Sequence, residues 1–200
     1  MTQPTSDNSL PVSPPVTPEL DPLFLPAALW NRAHREQVEA SGSGFDVEMA
    51  VLRPDRTGST FRTRIFSTGD EARRASSLRY LERIIKFLLW QRGGSRVLVS
   101  GADPLVPDLA AIYSAGGARH FDYRFFSEKV FDEPLEILAC PPGEMPEVAE
   151  QSIPLGRHLD GCRIGFDLGG SDRKCAAVKD GEVVFSEEVE WNPYFESDPA

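Results

Sequence analysis

Cysteine is scarce in this 200-residue chain, and its spacing excludes two kinds of stabilised fold. The three cysteines, Cys140, Cys162 and Cys175, are an odd number without a CxxC pair. They therefore predict neither a disulfide framework nor a zinc site. The three histidines lie far apart in sequence and form no ligand pair. Cys162 and Cys175 lie inside apolar runs, and we interpret them as small buried core residues.

From the sequence we also expect no secretory leader and no membrane-spanning run. Its N-terminus is polar and rich in proline, without the basic and apolar regions of a signal peptide. The longest apolar stretches are far shorter than the roughly 20 residues that a membrane-spanning helix needs. We therefore expect a cytoplasmic protein in a reducing compartment, without a membrane partner.

Basic charge is in deficit overall but concentrated in one region. The net charge is −10, so the whole chain should repel nucleic acid and anionic membranes. Between Arg53 and Arg96, however, eleven basic residues face four acidic ones. This excess is typical of a solvated helix face, and a docking surface for an acidic partner is the alternative. We favour the solvated face, because the sequence does not show the interleaved basic and aromatic pattern of single-strand nucleic-acid binders.

Composition divides the chain into four segments. Residues 1–26 hold seven of the 17 prolines and predict a disordered or extended arm. Residues 27–140 contain segments with apolar residues at helical spacing and segments with strand-like apolar runs. This mixture predicts an accessory α/β domain. Residues 141–160 are rich in proline and acid and predict a linker, and residues 161–200 form a second, β-rich segment. The fold class is therefore α/β, with a mixed α/β domain at the N-terminal side.

Within the accessory domain, turn and capping signals delimit the elements. We expect a helix from about Pro26 to Ala40, then strands at Phe45–Leu52 and Phe61–Phe66 joined by a turn. Thr68 and Glu71 have the spacing of a capping box at the start of a second helix. That helix carries an apolar face of Leu78, Leu81, Ile85 and Leu88 and ends at Gly93-Gly94.

The second half of this domain predicts a parallel α/β unit. The strand "RVLVSG" is followed by a loop and a helix in "ADPLVPDLAAIYSAGG". Asp103 follows the strand end, where such folds often bind ligands. Aspartate is also an ordinary helix N-cap, and we favour that role for Asp103. "HFDYRFF" (residues 120–126) and "LEILA" (residues 135–139) are further strand candidates.

The stretch "RIGFDLGGSDRKCAAV" carries the chemistry. An apolar strand ends in Asp167, the turn is Gly169-Gly170-Ser171, and the next strand begins with Lys174 near the turn. Phosphate needs N–H groups that converge on one concavity, and glycine permits that close approach. Ser171 adds a hydroxyl donor, Lys174 a positive charge, and Asp167 a carboxylate for Mg²⁺, which keeps much of its water. The alternative is a structural Gly-Gly hairpin.

This pattern resembles the first phosphate-binding hairpin of the actin, Hsp70 and sugar-kinase superfamily. In particular it looks like the ROK family of sugar kinases and repressors, with D-[IL]-G-G-[TS], a lysine three residues past the hydroxyl, and a D-G turn, here Asp180-Gly181. The resemblance covers about thirty residues, from Cys162 to Trp191. It implies that residues 161–200 are the start of an actin-like ATPase (ribonuclease H-like) lobe, namely its first β-meander.

The resemblance implies ATP and Mg²⁺ as cofactors and a sugar as the small-molecule substrate. Asp167 would organise the metal, Gly169, Gly170 and Ser171 would contact phosphate, and Lys174 would assist. The catalytic aspartate of the family cannot be placed in this chain, so we name no catalytic residue and expect a fragment of a longer protein. The winged helix-turn-helix of ROK repressors is also not recognisable here, so we expect no nucleic-acid partner. A homo-oligomer is left open.

Two departures from the family pattern motivate the second of three hypotheses. Asp172 and Arg173 replace an asparagine-like and an apolar residue, which places an extra negative charge beside the phosphate site. The leading hypothesis is the N-terminal portion of an ATP-dependent sugar kinase. The second is a non-catalytic sugar-sensing or partner-binding protein, and the third is an independent small-molecule site around "VLVSGADP".

Overall fold

The computed structural model describes residues 12–67, 69–148, 159–192 and 195. The chain divides into two compact units between Gln151 and Ser152, within the segment interpreted above as a linker. The α/β class is confirmed, with helices in the first unit and two separate sheets. Among the described residues, no helix combines the length and apolar character needed to cross a bilayer.

The first unit alternates helices and strands. Its α-helices are α1 (Ala27–Ser41), α2 (Glu71–Arg92), α3 (Val106–Ile112) and α4 (His120–Arg124). Its strands are β1 (Phe45–Leu52), β2 (Gly58–Ile65), β3 (Arg96–Ser100) and β4 (Glu136–Ala139). A 3₁₀ turn at Asp103–Leu105 precedes α3, and a π-helical turn at Phe125–Val130 follows α4. Residues 12–26 contain no helix or strand, although Val12 and Leu25 pack against the core.

The four strands form one mixed sheet in the order β2-β1-β3-β4. β1 pairs antiparallel with β2 and with β3, whereas β3 and β4 are parallel. The parallel pair confirms the α/β unit predicted from the strand, loop and helix pattern, since a parallel connection needs a crossover of this kind.

Helices cover one face of this sheet, and charged pairs occupy the other. Alternate residues Val47, Met49 and Val51 of β1 are buried together with Val97 and Val99 of β3. On the opposite face, cross-strand ion pairs join Arg62 to Glu48, Arg64 to Asp46 and Arg96 to Glu136. This alternation is the period of two that a half-covered sheet requires.

The long helix α2 supplies most of the covering layer. The apolar residues predicted to share a face lie toward the core, with Leu81 and Ile85 fully buried, Leu88 almost so, and Leu78 partly buried. Helix α1 adds Trp30, His34 and Val38, which are also buried. Each such buried side chain contributes about 1.5–3 kcal/mol to stability. The stability of this unit therefore comes mainly from packing and not from local helix or strand propensity.

Two predicted element boundaries differ from the structure. The capping box is wrong at Glu71, which is the first helical residue. Asp70 is the N-cap, and its Oδ1 accepts from the amide of Ala72 at 2.9 Å, while Thr68 lies outside the described residues. Strand β2 begins at Gly58, three residues earlier than expected, because Gly58 pairs with Leu52.

The segment "HFDYRFF", expected as a strand, is helical. Phe121 and Phe125 are four residues apart, so a helix places both on one side, where they stack with Trp90. The buried carboxylate of Asp122 accepts from Trp90 Nε1 at 2.6 Å and pairs with Lys86. A short aromatic run has strand propensity, but these tertiary contacts override it.

The second unit is a meander of three antiparallel strands. These are β5 (Cys162–Leu168), β6 (Asp172–Lys179) and β7 (Glu182–Glu190), in that order in the sheet. The second connection is a two-residue turn in which Asp180 and Gly181 both have positive φ, as a type I′ turn requires. The three strands and both turns agree with the sequence-based expectation.

Among the described residues of this sheet, no side chain is buried. One face collects Ile164, Phe166, Leu168 and Phe185, and these side chains are all at least half exposed. The prediction that Cys162 and Cys175 are buried core residues is wrong, since Cys162 is exposed and Cys175 is half-buried. An apolar strand pattern indicates a face that can be covered, but it does not itself supply the covering layer.

Candidate functional site

The turn between β5 and β6 is closed by its own backbone. The amide of Gly169 donates to the carbonyl oxygen of Asp172 at 2.9 Å. A Cβ atom on Gly169 would lie 3.1 Å from that oxygen and 3.3 Å from Asp172 Oδ1. A side chain at this position would therefore require Asp172 to shift by a few tenths of an ångström. Because the Gly169 amide is already used, phosphate contacts would fall to Gly170 and Ser171, both of which are exposed.

Trp191 holds the turn from the end of β7, a contact that sequence reasoning missed. Its indole Nε1 donates to the carbonyl oxygen of Gly169 at 2.7 Å, and its backbone amide donates to that of Ser171 at 3.1 Å. Both bonds connect residues about twenty positions apart, so no local motif signals them. Both bonds are made to backbone carbonyl oxygens of the turn. They therefore order the turn without using the hydroxyl of Ser171.

Asp167 and Lys174 are brought together by strand register. They are direct partners in the β5–β6 pair, and Lys174 is in turn opposite Glu188 on β7. Directly paired residues share a face of the sheet, so the three side chains form a row across it. A depression of about 430 Å³ is lined by residues of all three strands, these three among them.

Acids dominate the electrostatics of this row. Lys174 Nζ lies 3.2 Å from Asp172 Oδ1 and 3.6 Å from Glu188 Oε1. The hydrogen bond to Asp172, followed by the charges of Asp172, Glu188 and Asp167, raises the pKa of Lys174 above its ordinary value. The lysine is therefore protonated near neutral pH, but its charge is already balanced by neighbouring carboxylates.

The donor set fits Mg²⁺ only as a partner of a bound phosphate. No cluster of three or more His, Cys, Asp or Glu side chains within the described ranges is arranged to hold a metal by itself. Mg²⁺ usually takes one or two carboxylates, several waters and the oxygens of a substrate phosphate. Asp167 is an exposed carboxylate beside the turn, and that single ligand meets this requirement.

The predicted site residues are thus close together in the fold. Asp172, which was not among them, also takes part in the site. Asp167, Gly169, Gly170, Ser171 and Lys174 all belong to the β5–β6 hairpin or its turn. Asp172, noted in the sequence for its extra charge, binds Lys174 through its side chain and receives the Gly169 amide through its carbonyl.

The alternative site around Val97–Pro104 is less developed. Asp103 begins the 3₁₀ turn and its side chain is exposed, while the cap position is Ala102, which makes no side-chain capping bond. The expected Asp103 cap is therefore wrong. A depression of about 460 Å³ includes Ser100 and Gly101, but its charged residues are the mutually paired ones of the outer sheet face.

Comparison with known proteins adds no relative: no family model, no curated protein and no solved structure matches this chain. The function is therefore inferred from the residues of the hairpin and their geometry.

Proposed function

We propose that the β5–β6 hairpin contacts the phosphates of ATP·Mg²⁺ in a ROK-like kinase that phosphorylates a sugar hydroxyl. In this proposal the second unit is the first β-meander of an actin-like ATPase lobe, acting in the cytoplasm where ATP is available. The observation that carries the proposal is the register that sets Asp167 opposite Lys174, directly beside the glycine turn.

Each group has a distinct role. The amides of Gly170 and Ser171, with the Ser171 hydroxyl, donate to phosphate oxygens. Lys174 neutralises phosphate charge, and Asp167 binds Mg²⁺ through its water shell. When bound, the metal supplies charge neutralisation for phosphoryl transfer, a reaction that depends mainly on positioning and electrostatics.

The acidic surroundings make the proposed binding depend on the metal. Asp167, Asp172 and Glu188 lie near one lysine, so a phosphate without a cation would meet net repulsion. ATP should therefore bind in the presence of Mg²⁺ and at least tenfold more weakly in its absence.

Isothermal titration of the chain with a non-hydrolysable ATP analogue tests the proposal. Asp167→Asn should weaken Mg²⁺-dependent binding by about tenfold or more, equivalent to about 1.4 kcal/mol. Asp160→Asn removes the same charge from an exposed side chain just before β5 and is the matched control. Binding that is equal in both variants, or equal with and without Mg²⁺, would contradict the role of Asp167.

A second candidate function follows from the ion pairs of Lys174. If Asp172 and Glu188 hold this lysine permanently, the hairpin acts as a scaffold in a non-catalytic sugar-sensing or partner-binding protein. Asp172→Asn separates the two cases. Release of Lys174 should strengthen ATP·Mg²⁺ binding if the site is a nucleotide site, and should leave binding undetectable if it is a scaffold.

A further inference from the structure

A cleft of about 850 Å³ runs beside helices α1 and α2 of the first unit, and the hairpin proposal makes no use of it. Its walls come from both helices, with Phe61 of β2 and Arg119 as further contributors. Along α1 the lining extends from Ala27 to Arg35, which corresponds to about 12 Å of helix. This volume is in the range of small-molecule sites, roughly 300–1,000 Å³.

The apolar wall of the cleft is exposed and held in place. Phe87 and Trp90 of α2 are 55% and 47% exposed. Trp90 cannot turn freely, because its ring stacks on Phe125 at 5.0 Å between ring centroids and its Nε1 donates to buried Asp122. A large aromatic side chain fixed at the surface is a pre-formed contact for an apolar ligand.

All charged residues that line the cleft are basic. Arg35, Arg83, Lys86 and Arg119 line the cleft, and no acidic side chain does. Lys86 pairs with Asp122, and Arg119 pairs with Glu82 from the neighbouring surface. Arg35 and Arg83 take part in no ion pair within the portion of the chain that the structure describes. The cleft is thus a local cationic surface on a chain of net charge −10.

Arg83 carries an unmet hydrogen-bond donor at this position. Its guanidinium lies over the Trp30 ring, with Cζ 4.9 Å from the ring centroid. Its Nη1 is buried and has no acceptor among the described residues, and Asn31 Oδ1 likewise lacks a donor. Burial is the largest of the effects that lower the pKa of Arg83, followed by the charge of Arg79. A buried, unsatisfied donor on a cation is costly, so an external acceptor would stabilise it.

We propose that this cleft binds a small amphipathic carboxylate, whose head accepts from Arg83 and Arg35 and whose apolar body packs on Phe87, Ile84 and Trp90. The charge of the lining selects an anion, and the aromatic wall selects an apolar body over inorganic phosphate. The basic excess between Arg53 and Arg96, interpreted from sequence mainly as a solvated face, thereby includes part of a ligand site. This inference is independent of the hairpin and of nucleotide binding.

Nuclear magnetic resonance of the three tryptophan indole N–H groups tests the proposal in the full chain. Octanoate is the probe, 1-octanol tests the need for charge, and acetate tests the need for an apolar body. Octanoate should shift the Trp30 and Trp90 signals saturably, whereas Trp191 in the second unit should not move. The alcohol and acetate should bind at least tenfold more weakly.

Two substitutions locate the head group. Arg83→Gln should weaken octanoate binding about tenfold or more, since a hydrogen bond to a charged group contributes about 1.5–3 kcal/mol. Arg35→Gln removes an exposed side chain, so it reports on binding even if the Arg83 variant is unfolded. Arg32→Gln, on the same helix but outside the lining, is the matched control and should bind as the parent does.

Four results would overturn the inference. Unchanged Trp30 and Trp90 signals at millimolar octanoate would exclude the site. Equal affinity for octanoate and 1-octanol would show an apolar surface without anion recognition. Equal weakening by the Arg32 and Arg35 substitutions would show a general charge effect, and parallel movement of Trp191 would show non-specific adsorption.

Discussion

The two sheets of this protein use similar strand sequences and reach different degrees of burial. In the first unit, Val47, Met49 and Val51 of β1 are almost completely removed from solvent within the core beneath the helices. In the second, Ile164 and Phe166 of β5 are 68% and 72% exposed, although their pattern is equally apolar. The difference is in the layer above the strands, because a sheet face contributes stability only when another element covers it.

The largest expected difference is in amide hydrogen exchange. The central strands β1 and β3 should open only with the whole first unit, at several kcal/mol, whereas β5 and β7 should open locally at close to zero. Because each 1.4 kcal/mol is tenfold in protection, the two sheets should differ by at least a hundredfold. Exchange followed by mass spectrometry measures this, and strong protection across residues 162–190 would contradict it.

Alanine substitutions should sharpen the contrast at single side chains. Leu81 is fully buried, so Leu81→Ala should destabilise the first unit by about 2–5 kcal/mol. Phe166→Ala removes a mostly exposed ring and should change stability by less than about 1 kcal/mol. Urea titration followed by helical ellipticity reports on the first unit, and the Trp191 indole signal reports on the second. Equal costs at both positions would mean that the β5 face is covered in solution.

The buried histidine of α1 makes the stability of the first unit depend on pH. Burial, with a smaller effect from the charge of Arg35, lowers the pKa of His34 from 6.5 to about 4. The folded state therefore resists protonation that the unfolded chain accepts, so the stabilisation is complete above pH 6.5 and is lost as pH falls toward 4. The loss should reach about 3 kcal/mol.

Comparing the parent with His34→Gln isolates this effect from the carboxylates that also titrate in acid. The urea midpoint of the parent should fall more steeply between pH 6.5 and 4.5 than that of the variant. His34 donates to or accepts from Ser76 through Nδ1 at 3.0 Å and stacks on Tyr80, so the variant will be less stable throughout. The slope is therefore the readout, and parallel slopes would refute the assignment.

The smallest expected effect concerns glycine in the two sheets. Gly165→Ala on β5 adds a methyl group to open space and should change stability by no more than about 0.5 kcal/mol. Gly101→Ala, at the end of β3, should cost several times more, because Gly101 has a φ of +81° and a Cβ there would lie 2.2 Å from Asp46 O. Thermal melts of both variants test this, and a large loss at Gly165 would indicate a covered sheet.

Short-range signals in the sequence predicted much of this architecture. The hairpin turn at Asp180-Gly181, the strand Phe45–Leu52 and the apolar face of α2 were all found, because each depends on neighbours within a few residues. The segment at residues 120–126 was assigned to the wrong class, because Trp90 and Lys86 of α2 decide its conformation from thirty positions away.

The candidate sites divide in the same way. The acid, glycines, hydroxyl and lysine of the hairpin are visible in sequence because antiparallel register places them together automatically. The contacts of Trp191 with the turn were not visible, nor was the balance of Lys174 by Glu188. The cleft beside α1 and α2 was equally hidden, since its cations come from three separate segments of the chain.

By itself, the sequence determined where strands, turns and the main helix lie, since backbone propensity and apolar period act locally. It also determined the acidic overall charge and which polar side chains the β5–β6 hairpin carries. Only the tertiary structure decided which apolar faces are buried, which carboxylates hold Lys174, and where Arg83 lies with an unmet donor. Those outcomes depend on the packing of distant segments, and packing is a property of the whole fold.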